Sequence, residues 1–281
     1  MTSQTLAGPT GARLDIPTAP RQLGAARRLG ADTATMIGRS MRLVTRDLDS
    51  MIMAIVLPVM LLLLFTYVFG GAMEVGTAYI QYATPGIILL CAGFGAANTA
   101  IAVEQDMSGG FVDRYRSMPV AASAVLTGHV VASVLKNLVT TAIVFGIALL
   151  IGFRSDAGVL GWAGAVGVIV LYVLTITWIA TFVGTIVHSA DAANGFTFFM
   201  LFLPYLSSAF VPPETMPSWL RGFAEHQPVT PMIETIRGLL GGPGAPAVSG
   251  STALAAVIWG AGLSLLFAGL AAWAFGRRRT A

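Results

Sequence analysis

Six stretches of this chain are apolar for about as long as a bilayer is thick, and this limits the folds open to it. A hydrocarbon core takes roughly 20 apolar residues per helix. The segments near residues 51–71, 84–103, 125–153, 158–187, 195–211 and 252–275 read as such spans, the fifth short and carrying Pro204. Backbone groups in lipid must be satisfied by protein, which leaves helices for runs of this length. The expected fold class is an all-α polytopic membrane protein with six transmembrane helices. Composition agrees, with 10% charged residues and 56% apolar residues before 32 glycines are counted, and a mean hydropathy of +0.78. Soluble domains run near 25% charged. A disordered chain, a disulfide scaffold and an ordinary cytosolic enzyme are excluded. Cys91 is the single cysteine, so an intrachain disulfide or a cysteine metal cluster is excluded as well.

Orientation follows from the basic residues, which concentrate on cytosolic loops. Arg13, Arg21, Arg27, Arg28, Arg39, Arg42 and Arg46 precede the first span, Arg114 and Arg116 follow the second, and Arg277, Arg278 and Arg279 follow the sixth. Those are 12 of the 16 basic residues; the opposite loops hold only Arg154, Arg221 and Arg237. The reading is a multi-pass protein of a plasma (inner) membrane with both termini cytosolic. Residues 1–22, with Pro9, Pro17 and Pro20 and no apolar run, read as a flexible cytosolic tail. Residues 23–281 read as one transmembrane domain. Heavy Ala and Gly usage with a single lysine suggests a bacterial, GC-rich genome. That lysine, Lys136, leaves two readings open: a functional ionisable group within a span, or a side chain snorkelling to the cytosolic boundary.

Two cytosolic pieces carry pattern. Ile37, Met41, Val44 and Leu48 share one helical face, and Arg39, Arg42 and Arg46 lie nearly opposite. This predicts an amphipathic interfacial helix whose arginines meet lipid phosphates or a partner surface. After the second span, Phe111, Tyr115 and Met118 fall at i, i+4 and i+7 in a short segment stopped by Pro119. A helix of this kind can dock in a groove on a partner.

Glu104, Gly110, Arg114, Arg116, Pro119 and Val120 resemble the corresponding loop of ABC-2-type transporter permeases, most nearly the daunorubicin/doxorubicin-resistance exporter type. A second match combines Met216-Pro217-x-Trp219 with Gln227-Pro228-Val229-Thr230 and Arg237-Gly238. The resemblance covers roughly residues 40–278. It implies a membrane permease subunit of an ATP-driven exporter, in which two permeases, identical or paralogous, pair with two nucleotide-binding ATPase subunits. It also implies that the loop after the second span is a cytosolic coupling helix, with Glu104, Gly110, Phe111, Arg114, Tyr115, Arg116 and Pro119 as its coupling residues. Short re-entrant helices are implied on the extracellular side between spans five and six. The chain itself offers no phosphate loop, because Lys136 follows Val-Ala-Ser-Val-Leu rather than a glycine frame. No cofactor is expected in this chain; ATP and Mg would sit on the partner subunit. Membrane lipids are expected partners and nucleic acid is not.

In the segment between spans five and six, Thr230-Pro231 reads as a helix N-cap with proline at the first position. Met232, Ile233, Ile236, Leu239 and Leu240 form an apolar stripe ending at Gly241-Gly242. A gate and a structural plug are both open, with Trp219, Pro228, Ile233 and Ile236 as gate candidates. Ala256, Gly260, Ser264, Ala268, Ala272 and Gly276 repeat every four residues in the sixth span and suit close helix packing. Thr175, Thr177, Thr181 and Thr185 are expected to satisfy their own helix backbone. Asn98, Thr99 and Asn137 are pathway candidates, with interhelical hydrogen bonding as the plainer role.

A hydrophobic or amphipathic cargo, drug-like or lipid, fits a chain with so few charges in its spans. The alternative is a gradient-driven carrier of a small apolar molecule. No Asp or Glu lies mid-span to serve it. An intramembrane enzyme lacks its residues: His129, His188 and His226 do not have zinc-protease spacing, and no catalytic or metal site is expected.

Overall fold

The computed structural model describes residues 37–38, 48–73, 75, 77–108, 122–241 and 248–278. Residues 1–22, expected as a tail, Arg39, Arg42 and Arg46, and Gly110, Phe111, Arg114, Tyr115, Arg116 and Pro119 lie outside the described residues. The described elements are helical and include no strand. They are α1 (Leu48–Leu63), running into a π-helical turn (Leu64–Phe69); α2 (Tyr79–Ser108); α3 (Ala122–Ile151); α4 (Val159–Ile186); α5 (Ala190–Tyr205); a 3-10 turn (Pro213–Thr215); α6 (Ser218–His226); α7 (Val229–Leu239); and α8 (Gly250–Arg278).

Five of these helical segments are long and apolar enough to cross a membrane: Ile52–Phe69, Tyr79–Ser108, Leu126–Ile151, Val159–Ile186 and Gly250–Arg277. The segment expected as a span over 195–211 is different. It starts earlier, at Ser189, whose hydroxyl accepts from the Ala192 amide as an N-cap, and its helix ends at Tyr205 just after Pro204. At about 1.5 Å per residue its 16 residues reach only ~24 Å. Residues 206–211 turn instead of continuing the helix.

Neighbouring helices alternate in direction. Phe65 at the end of α1 stacks on Phe210, just past α5, at 4.3 Å between ring centroids. Phe65 also lies near Tyr79, which opens α2. Phe145, near the end of α3, meets Trp162 at the start of α4. One end of the bundle, the Tyr79 end, therefore gathers the ends of α1, α3 and α5 and the starts of α2 and α4. At the opposite, Ser108 end, Leu126 of α3 packs with Ala271 and Phe275 of α8.

α2 runs through the middle. Ile87, Ile88, Leu89, Leu90, Cys91 and Ala92 are all buried in one apolar cluster. Close approach to its neighbours depends on small residues. A Cβ at Gly86 would stand 2.5 Å from that of Ala209 in the turn after α5, and one at Gly184 of α4 would stand 2.9 Å from the Val103 Cβ and nearer still to the Ala100 carbonyl. Pro58 in α1 lacks the amide that would bond the Ala54 carbonyl. The Cys91 thiol of α2 donates to that carbonyl at 3.4 Å.

The small-residue stripe of α8 packs within the chain over its first half only. Ala256, Gly260 and Ser264 are buried, whereas Ala272 and Gly276 are exposed and Ala271, Ala274 and Phe275 turn inward instead. A spacing of four drifts about 40° per step on a helix of 3.6 residues per turn, so a strict repeat leaves the contact face. Where it does pack, Thr175 of α4 donates to the Gly260 carbonyl at 3.0 Å and pairs with the Ser264 hydroxyl at 2.9 Å.

Candidate functional site

α7, the second helix after α5, is enclosed by the bundle. On α7, Val229, Thr230, Pro231, Met232, Ile233, Thr235 and Ile236 are buried. Met232, Ile233, Ile236 and Leu240 join the same core as Leu62 and Ile87–Cys91. Gly161 and Gly164 of α4 let Leu239 lie against them. The C-terminal end of α7 is tied to the α3–α4 connection, where Ser155 donates to the Leu240 carbonyl at 2.7 Å. The result is a short helix plugging the Tyr79 end. Its expected start is corrected by one feature: α7 begins at Val229 with Pro228 as N-cap. Thr230 lies inside the helix and does not cap it; its hydroxyl donates to the Ala224 carbonyl and accepts from the Ser208 amide.

The plug holds the end of α5. Three distant side chains donate to the Leu203 carbonyl and to those of Leu206, Ser208 and Phe210 in the turn after the helix. Gln227 Nε2 bonds the Leu203 and Leu206 carbonyls at 3.2 and 2.6 Å. Tyr79 donates its hydroxyl to the Phe210 carbonyl at 2.9 Å. Arg237 Nη2 bonds the Ser208 carbonyl at 2.6 Å.

Arg237 also reaches α2. Its Nε and Nη2 bond the Tyr82 carbonyl at 3.2 and 3.1 Å. Its guanidinium carbon lies 3.7 Å from the centre of the Tyr82 ring. The planar fork of arginine suits such a seat, which a lysine could not reproduce. Burial lowers the Arg237 pKa from its ordinary value, and the facing Tyr82 and Glu234 offset part of this. Burial likewise raises the Glu234 carboxyl above its ordinary 4.5, with Arg237 opposing. The exposed Arg221 pairs with Glu225 at 2.7 Å on α6, one turn apart.

A second polar feature runs along the contact of α2 with α3. His129, Ser133, Asn137 and Thr141 follow one another every four residues on α3 and are all buried. His129 Nε2 meets Asp106 Oδ2 at 2.9 Å. Ser133 hydrogen-bonds Thr99. Asn137 is wholly buried, and neither its Oδ1 nor its Nδ2 has a hydrogen-bond partner. Its amide presses on Gly95, where any Cβ would collide with it. A polar seam therefore crosses the interior from the Ser108 end to mid-helix.

Residues 32–240 match the family described as ABC-2 type transporter. The chain belongs to that family. It is 31% identical over 212 residues to a daunorubicin resistance ABC transporter permease protein of Streptomyces coeruleorubidus, covering 75% of each chain. It is 28% identical over 261 residues to a probable doxorubicin resistance ABC transporter permease protein of Mycobacterium tuberculosis, covering 90% of this chain and 93% of the relative. ABC-2 permeases are the membrane components of transporters and not themselves catalytic.

Within this ABC-2 permease the sequence candidates separate. Ile233 and Ile236 come together in the buried face of α7, and Pro228 caps that helix. Trp219 stands apart on α6, 78% exposed. Glu104 is buried near the end of α2, Thr99 is satisfied by Ser133, Asn98 is partly exposed, and Asn137 is buried without a partner. Lys136 is only 7% exposed and so is enclosed by protein, which departs from the snorkelling reading. Thr175, Thr181 and Thr185 bond their own helix as expected, whereas the buried Thr177 hydroxyl has no hydrogen-bond partner. The structure adds Gln227, Arg237 and the Asp106–His129 pair. Gln227 and Arg237 lay within the sequence match, but no periodicity there announced what they bind.

Proposed function

We propose that this chain is the permease half of an ATP-driven exporter, moving a hydrophobic or amphipathic molecule out of the cell. In this reading it crosses the membrane six times, with α5 as the fifth crossing and both termini cytosolic. Two copies, or one copy and a paralogue, pair with two ATPase subunits that bind ATP and Mg. The loop between Ser108 and Ala122 faces those subunits, with Arg114 and Arg116 as its polar anchors. The Tyr79 end faces outward, and α6 and α7 form the re-entrant pair over the exit. Arg39, Arg42 and Arg46 meet the inner leaflet or the ATPase. Trp219 and Phe223, both exposed on α6, suit an interfacial aromatic anchor.

The observation that carries this reading is the buried α7, closing the bundle at the end opposite the proposed ATPase loop. A bundle closed at one end is what one state of an alternating-access exporter requires. The names of the relatives add the class of cargo. The test is co-expression with the ATPase encoded nearest to it, purification as a complex, and ATP-dependent doxorubicin efflux from inverted vesicles or cells. A stable complex with ATP-dependent movement supports the proposal; efflux that persists without any ATPase refutes it. Arg114→Glu is expected to lower stimulated ATP hydrolysis by the complex while membrane insertion stays intact, and unchanged coupling would remove that residue from the role.

A further inference from the structure

The helix that leads into the proposed ATPase loop is the helix that holds the plug. At the Ser108 end, α2 is fixed to α3 by Asp106 and His129. At the Tyr79 end, the Tyr82 carbonyl and ring seat Arg237 of α7. Between them, Ile87–Ala92 are enclosed on every side. Apolar contacts between α7 and its neighbours are non-directional and tolerate sliding. The guanidinium fork is directional, because one planar group is bonded to two carbonyls from two elements, Tyr82 of α2 and Ser208 after α5.

We propose that Arg237 is a positioning residue that fastens α7 to the outer end of α2, so that the plug is carried wherever α2 moves. Force applied at the loop after Ser108 then reaches the exit along one buried helix. The tether acts through geometry and touches no cargo. The idea deepens the exporter reading and rests on it for direction, although the tether itself can be tested without an ATPase.

Hydrogen exchange of the peptide spanning Val229–Leu239 decides it. In the isolated chain in nanodiscs, Arg237→Met should speed exchange there by about tenfold or more, because local opening loses charge-assisted bonds. Arg221→Met, on the exposed pair, should leave that exchange unchanged. Arg237→Lys keeps the charge and should not restore protection. Equal exchange in Arg237→Met and the parent chain would overturn the proposal, as would full rescue by lysine. In the complex with its ATPase, vanadate trapping should change α7 exchange in the parent and not in Arg237→Met, although both hydrolyse ATP before vanadate is added. A trapping response that survives in Arg237→Met would overturn the tether. Failure of the chain to bind any ATPase would instead overturn the exporter reading, leaving the nanodisc comparison to decide the tether.

Discussion

Gly184→Ala tests how tightly α2 and α4 are held, and the structure supplies its own control. A methyl at Gly184 would lie 2.9 Å from the Val103 Cβ and nearer still to the Ala100 carbonyl oxygen. Ordinary contact begins near 3.4 Å. The backbones must therefore part by at least half an ångström, and a carbonyl cannot rotate away as a side chain can. Overpacking of this kind costs about 1–3 kcal/mol. Gly167, on the same helix, has nothing within 4 Å of its would-be Cβ. Gly167→Ala should gain about 0.5–1 kcal/mol from helix propensity alone. Gly184→Ala gains the same propensity, so the difference between the two isolates the steric cost. At about 2–4 °C per kcal/mol for a chain of this size class, the variants should melt about 2–12 °C apart. Thermal unfolding followed by fluorescence-detected size exclusion in detergent, at one fixed scan rate, measures this. A Gly184→Ala protein melting at or above Gly167→Ala would refute the close crossing.

Three further outcomes follow from single contacts. A double-mutant cycle on Thr175→Val and Ser264→Ala should show coupling of about 0.6 kcal/mol, up to ~1.7, as expected for hydrogen bonds between membrane helices; zero coupling would remove the α4–α8 bond. Glu234 has a folded-state pKa raised above 4.5 by burial. Its stabilising contribution is therefore full below about pH 4.5 and is lost as pH rises through the folded value, so the melting-temperature advantage of Glu234→Gln should grow from pH 4 to pH 7; an advantage that shrinks with pH would contradict the burial. Cys91 is buried, with its thiol on the Ala54 carbonyl, so maleimide should label native membranes slowly and denatured protein at once, and rapid native labelling would place α1 away from α2.

Much of the architecture was legible because membrane helices write themselves in long runs. The apolar stripe of α7 also foretold its buried face, since Met232, Ile233 and Ile236 obey helical spacing. The sequence misplaced the role of Thr230 because a threonine before a proline is the common pattern of an N-cap, while here the helix begins at Val229 and the hydroxyl accepts from the distant Ser208 amide. It overextended the α8 stripe because a perfect repeat of four is not the period of a helix. The candidate site was the least legible part. Arg237 reaches a carbonyl 155 residues away, and Asn137 requires the absence of a side chain at Gly95. Neither relation leaves a periodic trace in one chain. The loop residues expected to meet an ATPase are outside the described residues.

The borrowed cap on α5 has a consequence for how the protein is made. The carbonyls of Leu203, Leu206 and Ser208 find their side-chain donors on Gln227 and Arg237, which leave the ribosome some twenty to thirty residues later. The Leu203 carbonyl has the local Leu206 amide meanwhile, but those of Leu206 and Ser208 lack these donors until then, and in hydrocarbon an unmet carbonyl costs several kcal/mol. A nascent chain stopped before Gln227 would therefore hold α5 at the edge of the bilayer. With α5 as a crossing, residues 190–240 would then insert as one unit, in the order that synthesis delivers them.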